Sequence, residues 1–276
     1  MTVNEAYPLI LFTLLSGTAF GLWATVFALR FWVRGSSSEQ GSSIRVLGWL
    51  AVVLQIIAIL TSLLHLASPL AFYRALINWQ ASWLTKEVWF AGVFFGVIAL
   101  YMVLNEWSRR GQVLPDSLFT ILGGLGVLLG LATAFSSGMV YIDAKGFPGW
   151  MNPAIAFLFP VTGLAVGLAL GFGLWLGRQG ERPGAKTFAA VMFVLVIVST
   201  CVIWATLFAP GSVSSNIPQW QSLVLGFLAL VTGGVYVLML AQPKFLAPLW
   251  VWVGFLALVA CVVLSRVWFY TSVVHL

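Results

Sequence analysis

The feature of this sequence that most constrains its fold is a series of eight long apolar runs separated by short polar breaks. The runs cover about residues 8–31, 44–66, 84–105, 117–137, 152–177, 187–209, 219–241 and 247–272. A helix needs about 20 apolar residues to cross the hydrocarbon core of a bilayer, because each residue adds about 1.5 Å. The runs have that length, so the sequence predicts eight transmembrane helices and not the short alternating strands of a membrane barrel.

The composition excludes a water-soluble fold. Of the 276 residues, 61% are hydrophobic and 7% are charged, whereas a soluble domain carries about 25% charged residues. The breaks between the runs are too short to form a separate domain, so we expect residues 1–276 to form one all-α transmembrane domain. The first run lacks the basic start of a cleaved signal peptide, and we interpret it as a permanent span.

The positions of lysine and arginine predict the orientation of the bundle. Nine of the 13 basic residues fall in, or at the edges of, the breaks after the first, third, fifth and seventh runs, and the other four lie on the opposite side. Cytoplasmic loops retain the larger share of positive charge, so both termini are expected outside. Because the basic residues are scattered singly, the net charge of +6 indicates membrane topology and not nucleic-acid binding.

Two ionisable residues lie at the edges of neighbouring runs, in the segment TSLLHLASPLAFYRALINWQASWLTKEVWF (61–90). His65 ends the second run and Glu87 opens the third. The connecting loop is short, so the two helices are expected to be antiparallel neighbours with both side chains at a similar depth near the outer interface. Ionisable groups at membrane depth are costly, and they usually face the bundle interior or a cavity.

Oxidation of a lipid-soluble quinol is a chemistry that suits this pair, because it releases protons that need acceptors inside an apolar site. A histidine titrates near neutrality, and a carboxylate also accepts protons. Three tryptophans are candidates for the walls of a ring pocket: Trp79, Trp83 and Trp89. The alternative is structural: His65 caps its helix, and Glu87 pairs with Lys86 or Arg74 at the interface. The spacing alone does not decide between these readings.

The chain offers few ligands for a metal centre of its own. Its two cysteines, Cys201 and Cys261, both lie inside apolar runs, whereas an iron–sulfur cluster needs several thiolates. A haem with two histidine ligands would require His65 and His275, and His275 is the penultimate residue, where chain ends fray. We therefore expect neither a haem nor an iron–sulfur cluster in this chain.

The segment 61–90 resembles the membrane anchor subunit of dimethyl sulfoxide reductase, one of a group of quinol-interacting anchors that serve molybdenum enzymes. In this family a His-Leu-small-Ser-Pro motif ends one helix and an S-x-L-[ST]-x-E segment opens the next. Here the two motifs read HLASP and SWLTKE. The family's quinol-site histidine and glutamate fall on His65 and Glu87. The segments YIDAKGFPGWMNP and SRVWFY, the length and the eight runs fit the same family.

The resemblance implies an anchor that oxidises menaquinol or ubiquinol and passes electrons to an iron–sulfur subunit, which serves a catalytic partner with a molybdopterin cofactor. A quinol site near the outer face would place these partners on the periplasmic side of the bacterial inner (cytoplasmic) membrane. Arg74, Trp83, Arg266 and Tyr270 are further candidate members of the quinol pocket. A structural or interfacial role is the alternative for each of them.

Other functions stay open. An anchor of a sulfite dehydrogenase, or of a polysulfide or thiosulfate reductase, would exchange electrons with the same quinone pool, and nothing in the sequence sets the direction of electron flow. A transporter would normally show ionisable or unwound segments near the middle of the bilayer, and the polar positions here lie at one edge. A purely structural anchor would carry no quinone site at all.

Overall fold

The computed structural model describes residues 3–32, 38–63, 73–80, 82–111, 114–144, 147–176, 185–208, 219–242 and 248–271. Its helices are α1 (Val3–Trp32), α2 (Ser38–Leu63), α3 (Arg74–Ile77), α4 (Trp83–Arg109), α5 (Asp116–Ile142), α6 (Ile155–Leu176), α7 (Ala185–Leu207), α8 (Gln219–Ala241) and α9 (Pro248–Thr271). All but α3 are long and apolar enough to cross a membrane. The prediction of an all-α bundle with eight spans is confirmed for the described part of the chain.

Several helices extend beyond the apolar runs that predicted them. The polar segment SEQGSS was expected to be a loop, but it forms the first turns of α2, which begins at Ser38. Likewise α5 continues to Ile142, which makes Tyr141 a helical residue and not part of the connection between two spans. Hydropathy reports the thickness of the hydrocarbon layer, whereas a helix continues wherever its backbone hydrogen bonds are satisfied.

Helices α1 and α6 form the centre of the bundle. In their most apolar stretches 72% and 78% of the residues are buried, against 28% to 39% in the other six spans. Helix α1 packs against α2, α5, α6 and α9, and α6 also contacts α5, α7 and α9. The outer helices expose large apolar side chains such as Leu223 and Leu230, as spans surrounded by lipid do.

Glycines allow α1 and α6 to meet backbone to backbone. Gly17 lies against Gly163, and Gly21 lies against Gly167. A Cβ atom added to Gly167 would lie 2.4 Å from the Cα atom of Gly21, a distance at which no side chain fits. The two pairs follow the same order along both helices, so α1 and α6 are parallel and their separation is set by the absence of side chains.

Polar contacts join four helices at one end of the bundle. Arg30 at the end of α1 forms an ion pair with Asp116 at the start of α5, and it donates from Nη1 to the Tyr101 hydroxyl of α4 at 3.1 Å. Arg45 near the start of α2 pairs with Glu106 near the end of α4, with 2.5 Å between Nε and Oε1. Helices α1 and α4 therefore end where α2 and α5 begin. We call this end of the bundle the Arg45 end.

The other end holds the starts of α1, α4, α6 and α8. There the side-chain amide of Asn152, just before α6, donates to the Ala205 carbonyl near the end of α7 at 2.7 Å. The Trp220 ring at the start of α8 contacts the Trp268 ring near the end of α9, with centroids 6.4 Å apart. Because it also contains Glu87, we call this end the Glu87 end.

We expect Gly167→Ala to destabilise the bundle, because the added methyl group would overlap the backbone of α1. The predicted loss is about 1–3 kcal/mol in the free energy of unfolding. The measurement is a denaturant titration of the detergent-solubilised chain, followed by circular dichroism.

The matched control is Gly226→Ala in α8, where an added Cβ atom would meet nothing within 4 Å. Alanine favours a helix by about 1 kcal/mol over glycine, so this variant should be unchanged or slightly more stable. Equal stability of the two variants would mean that the close approach of α1 and α6 does not limit packing.

Candidate functional site

Glu87 places a carboxyl group inside the bundle. Helix α4 begins after Ser82, whose hydroxyl accepts a hydrogen bond from the Thr85 backbone N–H at 3.3 Å, so Glu87 lies in the second turn. Its side chain is buried and accepts a short hydrogen bond from the Ser137 hydroxyl of α5. This contact joins the start of α4 to the end of α5. A carboxyl group in such a position is held by the protein and shielded from bulk water.

The neighbouring cation does not pair with this carboxylate. The ammonium group of Lys86 lies 4.0 Å from the centroid of the Trp83 ring, in a cation–π contact. Consecutive residues of a helix point in different directions, so Lys86 and Glu87 face different neighbours. The structure therefore gives Glu87 a neutral hydroxyl as its partner in the described part of the chain.

Two tyrosines continue the polar cluster from α5 to α9. The hydroxyls of Tyr141 and Tyr270 lie 2.9 Å apart and both side chains are buried. Tyr141 follows Ser137 by four residues, so it lies on the same face of α5. The Phe159 ring contacts both the Tyr141 ring, with centroids 5.6 Å apart, and the guanidinium of Arg266. The tyrosine pair therefore lies on the face of α5 that bonds to Glu87, with one aromatic ring between Tyr141 and a buried cation.

Arg266 is the buried cation, and its side chain is only 1% exposed. Its Nη2 donates to the Thr162 hydroxyl of α6 at 2.7 Å and lies 3.5 Å from the Leu158 carbonyl oxygen. The guanidinium carbon lies 3.8 Å from the centroid of the Phe159 ring. Nε and Nη1 have no hydrogen-bond partner among the residues that the structure describes. Arg266 forms no ion pair with any of the described residues.

Aromatic rings enclose these polar groups. Four rings contact that of Tyr141 with centroids 5.1 to 5.6 Å away, those of Trp150, Phe159, Phe269 and Tyr270. Trp83 lies one helical turn before Glu87, on the same face of α4, and its ring contacts that of Phe135 at 6.4 Å. The cluster is therefore apolar around its polar centre, as sites for flat organic ligands usually are.

Of the three tryptophans proposed as pocket walls, Trp89 points away from Glu87. Trp89 is two residues from Glu87, and its ring N–H donates to the Leu76 carbonyl of α3 at 3.1 Å. The Trp79 ring contacts that of Phe90 with centroids 5.7 Å apart. Both indoles are more than 40% exposed. Trp89 therefore packs against α3, whereas Trp79 contacts a residue that shares a helix face with Glu87.

The structure gathers part of the predicted set of residues around Tyr141. Tyr270 bonds to Tyr141, Arg266 lies against the Phe159 ring that stacks on Tyr141, and Glu87 bonds to α5 one turn before Tyr141. Trp83 lies one turn before Glu87. His65 lies outside the described residues, and for Arg74 only the backbone, in α3, is described.

The sequence analysis missed Ser137, Tyr141 and Thr162. Serine and threonine in apolar helices commonly bond back to their own helix, so their presence gives no signal of a site. For Tyr141 the signal was the segment YIDAKGFPGWMNP, which was assigned to the family but not to the site.

The polar side chains of this site suit the oxygen atoms of an organic ligand. In the described ranges no three His, Cys, Asp or Glu side chains come together in a way that could hold a metal ion. The two cysteines have free thiols, Cys201 exposed on α7 and Cys261 buried in α9. A carboxylate, two phenols and a guanidinium can hydrogen-bond to a ligand's oxygen atoms and exchange protons with them.

A comparison with protein families identifies the family of the chain. A model of the DMSO reductase anchor subunit (DmsC) matches residues 1–271. The chain belongs to the DMSO reductase anchor subunit family. This confirms the family predicted from residues 61–90, and the eight candidate spans make this anchor a multi-pass membrane protein.

A search of curated proteins found the C subunit of a sulfite dehydrogenase from Allochromatium vinosum. It is 29% identical to this chain over 173 residues, which cover 60% of this chain and 53% of the relative. The match therefore spans about half the length of that relative. The chain is thus similar to a subunit of a sulfite dehydrogenase as well as to the DMSO reductase anchor subunit.

We expect Ser137→Ala to destabilise the chain by about 1–3 kcal/mol, because it leaves the buried Glu87 carboxylate without the donor that it has in α5. The measurement is the free energy of unfolding in detergent.

The matched control is Ser265→Ala. Ser265 is also buried, but its hydroxyl donates to the Val262 carbonyl of its own helix at 2.7 Å. This variant should lose less than about 1 kcal/mol, since no group on another helix is left unpaired. Equal losses in the two variants would contradict a specific role for the bond between Ser137 and Glu87.

Proposed function

We propose that this chain is a single-domain anchor through which a DMSO reductase-type complex oxidises menaquinol or ubiquinol, with Glu87 as a proton acceptor. The observation that carries the proposal is the buried Glu87 carboxylate at one end of the bundle, bonded to Ser137 one helical turn before the buried pair Tyr141 and Tyr270. Ionisable groups at membrane depth generally serve function, because burying them costs free energy. Membership of a family of reductase anchors supports the same reading.

Oxidation of a quinol to a quinone removes two protons and two electrons. A base has to lie within hydrogen-bonding reach of the proton that it takes. Glu87 accepts one proton, and the bond from Ser137 holds its carboxylate in a fixed orientation. His65 accepts the other proton, a role based on its position in the HLASP motif. The electrons pass to the iron–sulfur subunit and then to the molybdopterin subunit.

The remaining predicted residues form the walls of the proposed site. The Trp83 and Phe135 rings, which contact each other beside Glu87, lie against the quinol ring. Arg266 and Tyr270 close the site on the side of α9. Arg74 lies at the start of α3, in the connection between the second and third spans, and is proposed to close the site from that connection.

The charge distribution supports a location in the bacterial inner membrane with the Glu87 end on the periplasmic side. The breaks at the Arg45 end carry nine of the 13 basic residues, as expected for a cytoplasmic face. Both termini then lie in the periplasm. Electrons cross proteins rapidly only over short distances, so the iron–sulfur subunit docks at the Glu87 end.

The similarity to the sulfite dehydrogenase C subunit favours a second candidate, in which electrons flow the other way. The partner would then deliver electrons, and the same site would reduce a quinone, with Glu87 donating a proton. The two candidates are separated by supplying the purified complex with either dimethyl sulfoxide and quinol or sulfite and quinone. Oxidation of the quinol with dimethyl sulfoxide would show electron flow from the quinol to the partner subunits. Reduction of the quinone with sulfite would show the opposite direction of electron flow.

We expect Glu87→Gln to lower quinol-dependent turnover of the complex by about 10²- to 10⁴-fold, because glutamine keeps the shape of the side chain but cannot accept the proton. Turnover is measured as quinol oxidation by the purified complex, and assembly is checked by co-purification of the partners.

The matched control is Glu106→Gln, on the same helix at the Arg45 end, where the carboxylate pairs with Arg45 near the surface. Surface ion pairs contribute little to the stability of a protein, so this variant should fold and retain its turnover. Normal turnover in Glu87→Gln would contradict its role as a proton acceptor.

We expect His65→Ala to slow quinol oxidation and also to weaken binding of a quinol-analogue inhibitor about tenfold, because a hydrogen-bonding partner of the ring is removed. His275→Ala, which changes the other histidine of the chain, should leave the inhibitor affinity unaltered. Unchanged inhibitor binding in His65→Ala would place the quinol site elsewhere.

A further inference from the structure

We infer that the unpaired nitrogens of Arg266 bind one oxygen of the quinone ring, and that the site therefore prefers a ligand whose oxygen is negatively charged. This inference rests on the proposed function, since it concerns the same site. It goes further by dividing the site into two subsites with different tasks. Glu87 takes a proton from one part of the ligand, and Arg266 stabilises negative charge on another part.

The first argument is the unused hydrogen-bonding capacity of Arg266. A guanidinium carries five N–H bonds, and in this structure Nη2 alone has partners, Thr162 and Leu158. Nε and Nη1 are buried and have no hydrogen-bond partner in the described part of the chain. Leaving the donors of a buried cation unpaired costs free energy, and more than for a neutral group. An acceptor oxygen placed against them removes that cost.

The second argument is that the guanidinium is held in place before any ligand binds. The hydroxyl of Thr162 fixes Nη2, and the Phe159 ring covers one face of the group. A side chain that is already ordered loses little conformational entropy when it binds. The free nitrogens are therefore preorganised donors, and charge-assisted hydrogen bonds of this kind are about twice as strong as neutral ones.

The third argument is the charge of the surrounding groups. Within the described part of the chain, Glu87 is bonded to Ser137, and Arg266 takes part in no ion pair. The groups that contact Arg266 are the Thr162 hydroxyl, the Leu158 carbonyl and the Phe159 ring, and all of them are neutral. Among the described residues, no anion therefore neutralises this buried cation. A ligand that acquires negative charge during the reaction supplies one.

The reaction provides such a charge. When a quinol has given one proton to Glu87, one to His65 and one electron to the iron–sulfur subunit, the ring is a semiquinone anion. Loss of the second electron to the same acceptor leaves the neutral quinone. A cation already in position stabilises this intermediate without reorganisation of solvent. Arg266 therefore binds the ring oxygen and stabilises its negative charge, whereas Glu87 is the proton acceptor.

The test compares two ligands on the purified complex. The probes are 2-hydroxy-1,4-naphthoquinone, which is ionised at neutral pH, and 2-methoxy-1,4-naphthoquinone, which cannot ionise. Their dissociation constants are measured for the wild-type complex and for the Arg266→Gln and Arg266→Lys complexes. We expect the wild type to bind the ionised probe more tightly. Arg266→Gln should weaken that probe about 10- to 100-fold and the methoxy probe only a few-fold.

Arg266→Lys should fall between the wild type and Arg266→Gln, because lysine keeps the charge but replaces a fixed planar group by a mobile point charge. The control is Arg109→Gln, which changes an exposed arginine at the Arg45 end and should alter neither affinity. Equal weakening of both probes by Arg266→Gln, with the partners still bound, would overturn the inference, since the loss would not depend on ligand charge.

The wild-type complex tests the inference without any variant, in case Arg266→Gln does not assemble. Equal affinity of the wild type for the two probes would overturn the inference, even if quinol oxidation proceeds normally. Failure of the proposed function gives a different result, in which the wild-type complex binds neither probe and does not oxidise quinol.

Discussion

The contact between α1 and α6 is the constraint on which the other helix positions depend. Inside a bilayer, lipid surrounds apolar surfaces as readily as another helix does, so close packing and not the hydrophobic effect decides which helices meet. Gly21 and Gly167 let the two backbones touch, and no larger side chain is compatible with that distance. Because α5 and α9 pack against both central helices, this contact also sets the frame in which Tyr141 approaches Tyr270.

The two ends of the bundle contain polar groups of different character. At the Arg45 end, charges of opposite sign pair near the surface: Arg45 with Glu106, and Arg30 with Asp116. At the Glu87 end, the carboxylate has a hydroxyl partner and the buried cation has unpaired donors. Arg30 also has one buried nitrogen without a hydrogen bond, but its charge is paired with Asp116, whereas no ion pair of the described residues includes Arg266. Ion pairs near water need no further explanation, whereas a buried cation without an ion pair calls for one. This contrast is why the functional proposals concern the Glu87 end.

Much of the fold could be predicted from the sequence because a bilayer leaves few alternatives. Eight apolar runs of spanning length require eight helices, since only a helix satisfies its own backbone in lipid. Helix ends were less predictable: α2 begins at Ser38 and α5 ends at Ile142, both outside the apolar runs. The family could also be predicted, because HLASP and SWLTKE combine polar and apolar residues in an order that ordinary membrane helices do not require.

The sequence by itself determined the solvent, the number of spans, the family and the position of Glu87 near the edge of a span. Tertiary structure alone decided which side chains meet it. Ser137 and Thr162 look like ordinary residues of apolar helices, and their partners, Glu87 and Arg266, are 50 and 104 positions away. The physical reason is that a helix pattern defines faces and depth, whereas contacts between helices depend on packing distances that the glycines of α1 and α6 set in three dimensions.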